Sequence, residues 1–269
     1  MSLEIKRLAG SFGVEVSGID LNGEIGANLF RTIHQAWLDH DGVMVVRDQR
    51  LTPASQLAFA SRFGTVRTPD PPEFGLPDYP MVYSSAFDVA DAPKLLDFTQ
   101  TGAAWHSDYA YETEWAGASL LYVRAMPPKG GDILFADLYA AYDALSASMR
   151  AFLAPLKAVQ RPVPIRRHDD EGDPAAVHPM VRTHPETGRQ ALYVSPGFTT
   201  EIVGLAPAES EALLKFLAAH CTQPQFVLRH HWVPGDLVVW DNRCNLHYAL
   251  GDYSGGGRVD FQRVAVNGG

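Results

Sequence analysis

The chain has 269 residues, 46% hydrophobic and 20% charged, which is enough apolar material to bury one elaborate core, and it reads as a single domain over residues 1–269. Its formal net charge of −9 excludes recognition of phosphate backbones or anionic membrane surfaces as the basis of function, so neither nucleic acid nor membrane is an expected partner. Met1 to Gly10 carries no apolar run of signal-peptide length and no stretch approaches the roughly 18 apolar residues of a spanning helix, so a cytoplasmic protein is expected.

Leu29, Phe30, Ile33, Ala36 and Trp37 recur at helical spacing, and Gly42 to Val46 follows as a buried strand. A second helix starts at Leu51-Thr52-Pro53, where Thr52 can cap and Pro53 suits the first turn; it stops at Gly64 with Leu57, Ala60 and Phe63 on its apolar face. Thr65 to Thr101 is rich in proline and acidic residues and reads as long loops with one short strand near Met81 to Tyr83. Strands are then expected near Ser119 to Val123, Asp132 to Phe135, Ala191 to Ser195, Phe226 to Trp232, Leu237 to Trp240 and Arg258 to Val266. Helices interrupt them at Leu138 to Leu145, Ser146 to Leu153 and Pro207 to His220. No glycine-rich phosphate loop follows a strand, which argues against a doubly wound nucleotide fold. The pattern is mainly β with flanking helices, a sandwich or jelly roll.

The chemistry concentrates at Trp105-His106-Ser107-Asp108. On an extended segment residues two apart share a face, so His106 and Asp108 can reach one ion. That triplet arises often by chance, and a third ligand must come from elsewhere; His247 is the natural one. Two histidines and one carboxylate leave open positions on iron(II), where a bidentate 2-oxo acid and dioxygen can bind. A closed zinc site would want a fourth protein ligand. His178, His184, His220, His230 and His231 lack an acidic neighbour at ligand spacing and read as surface or hydrogen-bonded structural residues. Cys221 and Cys244 are too few for a disulfide scaffold and lack thiolate-zinc spacing; Cys244, three residues before His247, reads as a small buried residue.

Beyond the triad, ordered blocks run along almost the whole chain: Gly13 to Leu21, Val46-Arg47-Asp48-Gln49, Gly130-Gly131-Asp132, Val181 to Pro185, Gly197-Phe198-Thr199-Thr200, and Trp240-Asp241-Asn242-Arg243 leading into His247-Tyr248-Ala249. With them the chain resembles the taurine dioxygenase branch of the iron(II)/2-oxoglutarate-dependent oxygenases. The resemblance implies a double-stranded β-helix with the triad at one open end, 2-oxoglutarate as cosubstrate, dioxygen as oxidant, release of succinate and CO2, and a homo-oligomer. It also implies a late-strand arginine that grips the far carboxylate of 2-oxoglutarate, a two-point match that lysine cannot reproduce. Arg258, eleven residues after His247, is the first candidate, with Arg263 for an acidic group of the substrate; the two roles are interchangeable at this stage. Phe198 matches an aromatic residue lining the family pocket, and Trp240 is expected to pack near the iron.

Three departures qualify the resemblance. The family's two arginines stand four residues apart, whereas Arg258 and Arg263 are five apart, so either a bulge separates them or an extra residue has entered the glycine turn. Ile133 stands where the family often has a threonine that also binds the cosubstrate carboxylate, and isoleucine cannot donate a hydrogen bond. The taurine-binding residues are not reproduced in Arg67-Thr68-Pro69-Asp70-Pro71-Pro72 or Gly102-Ala103-Ala104, so the expected substrate is a small organic acid other than taurine. Arg166 and Arg167 read as a solvated pair. The rival readings are a non-catalytic jelly roll that keeps the metal and binds a small acid, and a zinc hydrolase built on the same triad.

Overall fold

The computed structural model describes residues 3–8, 10, 12–70, 72–91, 104–162 and 175–268. Arg166, Arg167, Pro71, Gly102 and Ala103 lie outside these residues. Eight strands form the large sheet: β1 (Glu4–Arg7), β2 (Val14–Ser17), β3 (Val43–Val46), β4 (Gly75–Leu76), β5 (Tyr79–Asp88), β6 (Ala116–Ala125), β14 (Leu237–Asp241) and β16 (Arg258–Asn267). Their spatial order is β1-β2-β3-β14-β6-β16-β5-β4, antiparallel except between β2 and β3. Opposite stands a three-stranded sheet made of β13 (Val227–His230), β7 (Ile133–Asp137) and β15 (Asn245–Ala249), with β7 in the middle. Smaller sheets join β8 (Lys157–Gln160), β9 (Ala176–Pro179) and β12 (Thr199–Ile202), and β10 (Val181–Thr183) with β11 (Gln190–Leu192). The architecture is the expected mainly β jelly roll, with open sheets rather than a closed barrel.

Each face of the large sheet has its own apolar partner, as strand alternation requires. The outer face, with Met44, Val46, Leu120, Val239, Val264 and Val266, is covered by α1 (Ala27–Asp39) and α2 (Pro53–Ala60). Ile33 and Trp37 are the buried residues of α1, in agreement with its periodicity. In α2 the Thr52 hydroxyl accepts from Ser55 N as the capping reading requires, but the buried residues are Gln56, Phe59 and Ala60. Gln56 is drawn inward because its amide donates to the carbonyls of Leu120 and Gln262 at 3.1 and 3.3 Å.

The inner face meets the small sheet. Val43, Val45, Val123, Val238 and Trp240 pack against Ile133, Phe135 and Leu228 from the other side. A third cluster lies between the small sheet and α3 (Leu138–Asp143), α4 (Ala147–Leu153) and α5 (Pro207–Cys221). Among the described residues no helix is long and apolar enough to cross a membrane.

One turn position is sterically fixed. Gly42 has φ +77, and a Cβ there would lie 2.7 Å from Asp241 Cβ and 2.9 Å from Asn245 Nδ2. Only glycine lets α1 run into β3 against the turn that delivers β15.

Asp137 caps α3, its Oδ1 accepting from Tyr139 N and Ala140 N at 2.8 and 3.1 Å. Burial, and then the charge of Asp41, push its carboxyl up to about 7 despite those two donors. The folded state therefore holds a proton that the unfolded chain has already lost over the interval from the ordinary carboxylate value to about pH 7. Stability should fall as pH rises through that interval and level off above it. Asp137→Asn keeps the capping acceptor and removes the titration. Its urea midpoint should lack this fall and exceed that of the wild type at pH 8; parallel profiles from pH 4.5 to 8 would contradict the account.

Candidate active site

His106 lies outside any long strand yet is locked to β15 by two backbone bonds, from His106 N to His247 O at 3.0 Å and from His247 N to His106 O at 2.8 Å. That bridge brings the two imidazoles together, with ring centroids 4.1 Å apart. Asp108 follows in a turn, and its Oδ1 lies 3.9 Å from His106 Nε2 and 3.8 Å from His247 Nε2. These separations are too long for direct hydrogen bonds. The three ligand atoms lie within 4.8 Å of one another, and all three residues are buried.

The donor set fits a cation. His106 Nδ1 lies 2.8 Å from the Ala104 carbonyl, which places a proton there and makes Nε2 the nitrogen on the side of Asp108. Burial first, then the neighbouring His106, holds the His247 imidazole well below its usual range, so it stays neutral. Burial alone would raise the Asp108 carboxyl, but the Arg263 guanidinium, with the two histidines and Ser119, holds it well below the ordinary range. Two imidazoles and an ionised carboxylate thus converge, a set suited to iron(II).

Asp108 is positioned by a closed ring of hydrogen bonds. Its Oδ2 accepts from Ser119 Oγ at 2.7 Å, and its backbone N–H donates to Asn242 Oδ1 at 2.9 Å. Asn242 Nδ2 in turn donates to Ser119 Oγ at 2.9 Å. Trp240 Nε1 donates to the same Asn242 oxygen at 3.1 Å, and the Trp240 ring packs 4.8 Å from that of His247. The expected closeness of Trp240 to the metal ligands is therefore observed. Ser119 and Asn242 were not singled out by the sequence, although the inward parity of Ser119 with Leu121 and the block around Asn242 were available signals.

On the open side an aromatic wall rises. Phe198 meets His106 edge to face at 5.6 Å, and Tyr111 meets Phe198 at 5.0 Å. Tyr109, directly after Asp108, has φ 54, a conformation costing a non-glycine residue about 1–2 kcal/mol. Its ring lies between two guanidiniums, Arg67 at 4.6 Å and Arg263 at 5.8 Å.

The two candidate arginines part company. Arg263 faces inward with a side chain only 15% exposed, and its Nη1 donates to Asp108 Oδ1 at 2.8 Å. Arg258 is not brought to the triad. β16 pairs with β5 residue for residue from Arg258–Asp88 to Arg263–Tyr83, so the two arginines point to opposite faces. On its β6 side β16 shifts register between Asp260 and Phe261, where Arg124 is the extra residue, and again between Ala265 and Asn267, and neither shift turns Arg258 inward. The Arg258 side chain is 57% exposed, with Nη1 4.0 Å from Asp88 Oδ1 on the outer face. Ile133 lies in the apolar cluster between the sheets.

The five other histidines weighed from the sequence are tied structurally. His178 and His220 bond to the carbonyls of Glu112 and Ala141 at 2.9 and 2.7 Å. His230 pairs with Asp236 at 3.1 Å, and His231 with Asp132 at 2.8 Å. His184, Asp241 and Cys244 form a second cluster with metal-like spacing. His184 Nδ1 accepts from Glu186 N and Thr187 N, so its Nε2 carries the proton that bonds Asp241 at 3.0 Å. Arg243 takes both Asp241 oxygens, and burial pushes the Cys244 thiol well up. That cluster is a packed ion pair, and Cys244 is the buried residue expected of it.

A two-histidine, one-carboxylate site held between the sheets of a jelly roll defines a mononuclear non-haem iron oxygenase. The family described as Taurine catabolism dioxygenase TauD, TfdA family matches residues 4–265, and the chain belongs to it. It is 33% identical to the (S)-phenoxypropionate/alpha-ketoglutarate-dioxygenase of Sphingobium herbicidovorans, over 92% of this chain and 89% of that one. A taurine dioxygenase structure from Burkholderia xenovorans superposes with TM-score 0.85 at 33% identity, covering 100% of this chain and 90% of that chain. AAD-2 in complex with Mn(II) and N-oxalylglycine superposes with TM-score 0.81 at 30% identity, over 99% and 98%. This protein is accordingly an iron(II)- and 2-oxoglutarate-dependent dioxygenase acting on a small organic substrate. Neither the non-catalytic binder nor the zinc hydrolase finds support among these relatives.

Proposed function

We propose that the enzyme oxidises, by default hydroxylates, a small organic acid other than taurine. Iron is held by His106, Asp108 and His247, the acid group of the substrate is met by Arg263, and its carbon body lies against Phe198. Arg263 carries this reading: a nearly buried guanidinium on the inner face that uses one donor on Asp108 and has the rest of its fork available for a carboxylate, sulfonate or sulfate. Bound iron(II) and 2-oxoglutarate supply the oxidation, in which dioxygen is consumed, 2-oxoglutarate leaves as succinate and CO2, and substrate is oxidised. The chain's own residues do the placing. Ser119 and Asn242 fix the Asp108 carboxylate, the Ala104 carbonyl fixes the His106 ring, and Phe198 with Tyr111 closes the apolar side.

The phenoxypropionate-named relative supports aryl-substituted acids as the first compounds to try. Succinate release should be stimulated by at least one small acid in a panel that also holds the matched amides and alcohols. Stimulation confined to the neutral members would sink the acid reading.

A further inference from the structure

A cosubstrate with an acid at each end needs two places for charge, and among the described residues the strands around the triad offer one on their inner faces. Across the strands flanking the triad, β5, β6 and β16 on one side and β7 and β15 on the other, Arg263 is the only arginine or lysine on the inner face among the described residues. Its guanidinium is hydrogen-bonded to the Asp108 carboxylate, so it stands at the triad end of that wall.

Beyond Arg263 the wall turns apolar. The next two inward positions of β16 are Phe261 and Val259, which pair across to Ser85 and Phe87 of β5. Ile133 and Phe135 of the small sheet form one cluster with Val123, and the half-buried Leu121, Met126 and Phe261 pack against it. Half-buried members of an internal cluster are the ones a ligand can touch. The neutral hydroxyls nearby are Ser85 and Tyr253, whose ring packs on Gly131 and meets Phe87 at 6.1 Å. Arg258 belongs to the opposite face. A carboxylate moved from water to such a wall gains at most hydroxyl donors and no cation.

We infer that this pocket selects its cosubstrate by the 2-oxo-acid head and gives the charge of the tail little reward, so that monocarboxylic 2-oxo acids with apolar tails bind comparably to 2-oxoglutarate. The inference rests on the reading of His106, Asp108 and His247 as the iron site.

Anaerobic titration of the iron(II)-loaded protein tests it without turnover. Chelation of a 2-oxo acid to iron(II) gives a charge-transfer absorption band, and its growth yields Kd for 2-oxoglutarate and for 2-oxopentanoate, which has a methyl group in place of the far carboxylate. The two Kd values should agree within about tenfold, and Arg258→Ala should leave both within that range. Preference for 2-oxoglutarate by more than about tenfold overturns the inference. So does a loss beyond about tenfold for 2-oxoglutarate alone in Arg258→Ala, because the outer arginine would then be reaching the tail. Absence of the band with every acid overturns the iron-site reading together with the inference, and is thereby distinct from the other two results.

Discussion

Alanine in place of His106 or Asp108 is expected to abolish iron-dependent succinate formation. Each removes one of the three proposed protein ligands, so the loss should exceed the roughly 10- to 100-fold typical of losing an outer hydrogen-bond partner of a metal site. The two variants should differ in stability. His106→Ala removes a neutral ring whose backbone bridge to His247 survives, because both bonds are made by main-chain atoms. Asp108→Ala strips the carboxylate from the buried Arg263 and Ser119, and breaking a buried ion pair on one side costs about 3–5 kcal/mol. Asp108→Asn keeps the shape and a carbonyl oxygen for those donors, and should restore part of the stability while leaving the enzyme inactive. Succinate assays alongside urea unfolding read both quantities. Near-full activity in any of the three would remove the triad from the mechanism.

Arg263→Ala should raise KM for the acidic substrate by roughly 10- to 150-fold, the range corresponding to about 1.5–3 kcal/mol for a hydrogen bond to a charged group. Arg263→Lys keeps the charge and loses the fork, so it should recover only part of that loss. Arg258→Ala should change neither KM nor kcat appreciably, since its side chain is more than half exposed on the other face. An equal effect of the two alanine variants would mean that β16 is turned differently around its glycine-rich approach.

The contrast between these arginines marks where sequence reading ends. Five-residue spacing on a strand already says that Arg258 and Arg263 face opposite ways unless something intervenes. Nothing does: the extra residue, Arg124, lies in the neighbouring strand and leaves both facings unchanged, which no inspection of residues 258–263 could supply. The long helices were legible because their signals are local: the Ile33–Trp37 stripe in α1, Thr52-Pro53 before α2, and Pro207 opening α5. Buried strands such as β3 and β14 showed as apolar runs. β1, β2, β8, β9, β10 and β12 have only three or four residues each, too short for alternation to show, and their partners are set by tertiary contacts. β15 was missed for another reason. Asn245-Leu246-His247-Tyr248-Ala249 puts polar side chains inward, inverting the usual pattern, because that face serves the metal.

The backbone bridge between His106 and His247 also bears on the order of assembly. The two residues belong to segments far apart in the chain, and the bridge joins His106 to β15, which is itself paired with β7 in the small sheet. Contacts of such sequence separation form late, since loop closure must precede them. The local His106–Asp108 pair therefore offers iron at most two ligands until that closure brings His247, and full-strength metal binding reports that the distant segments have met.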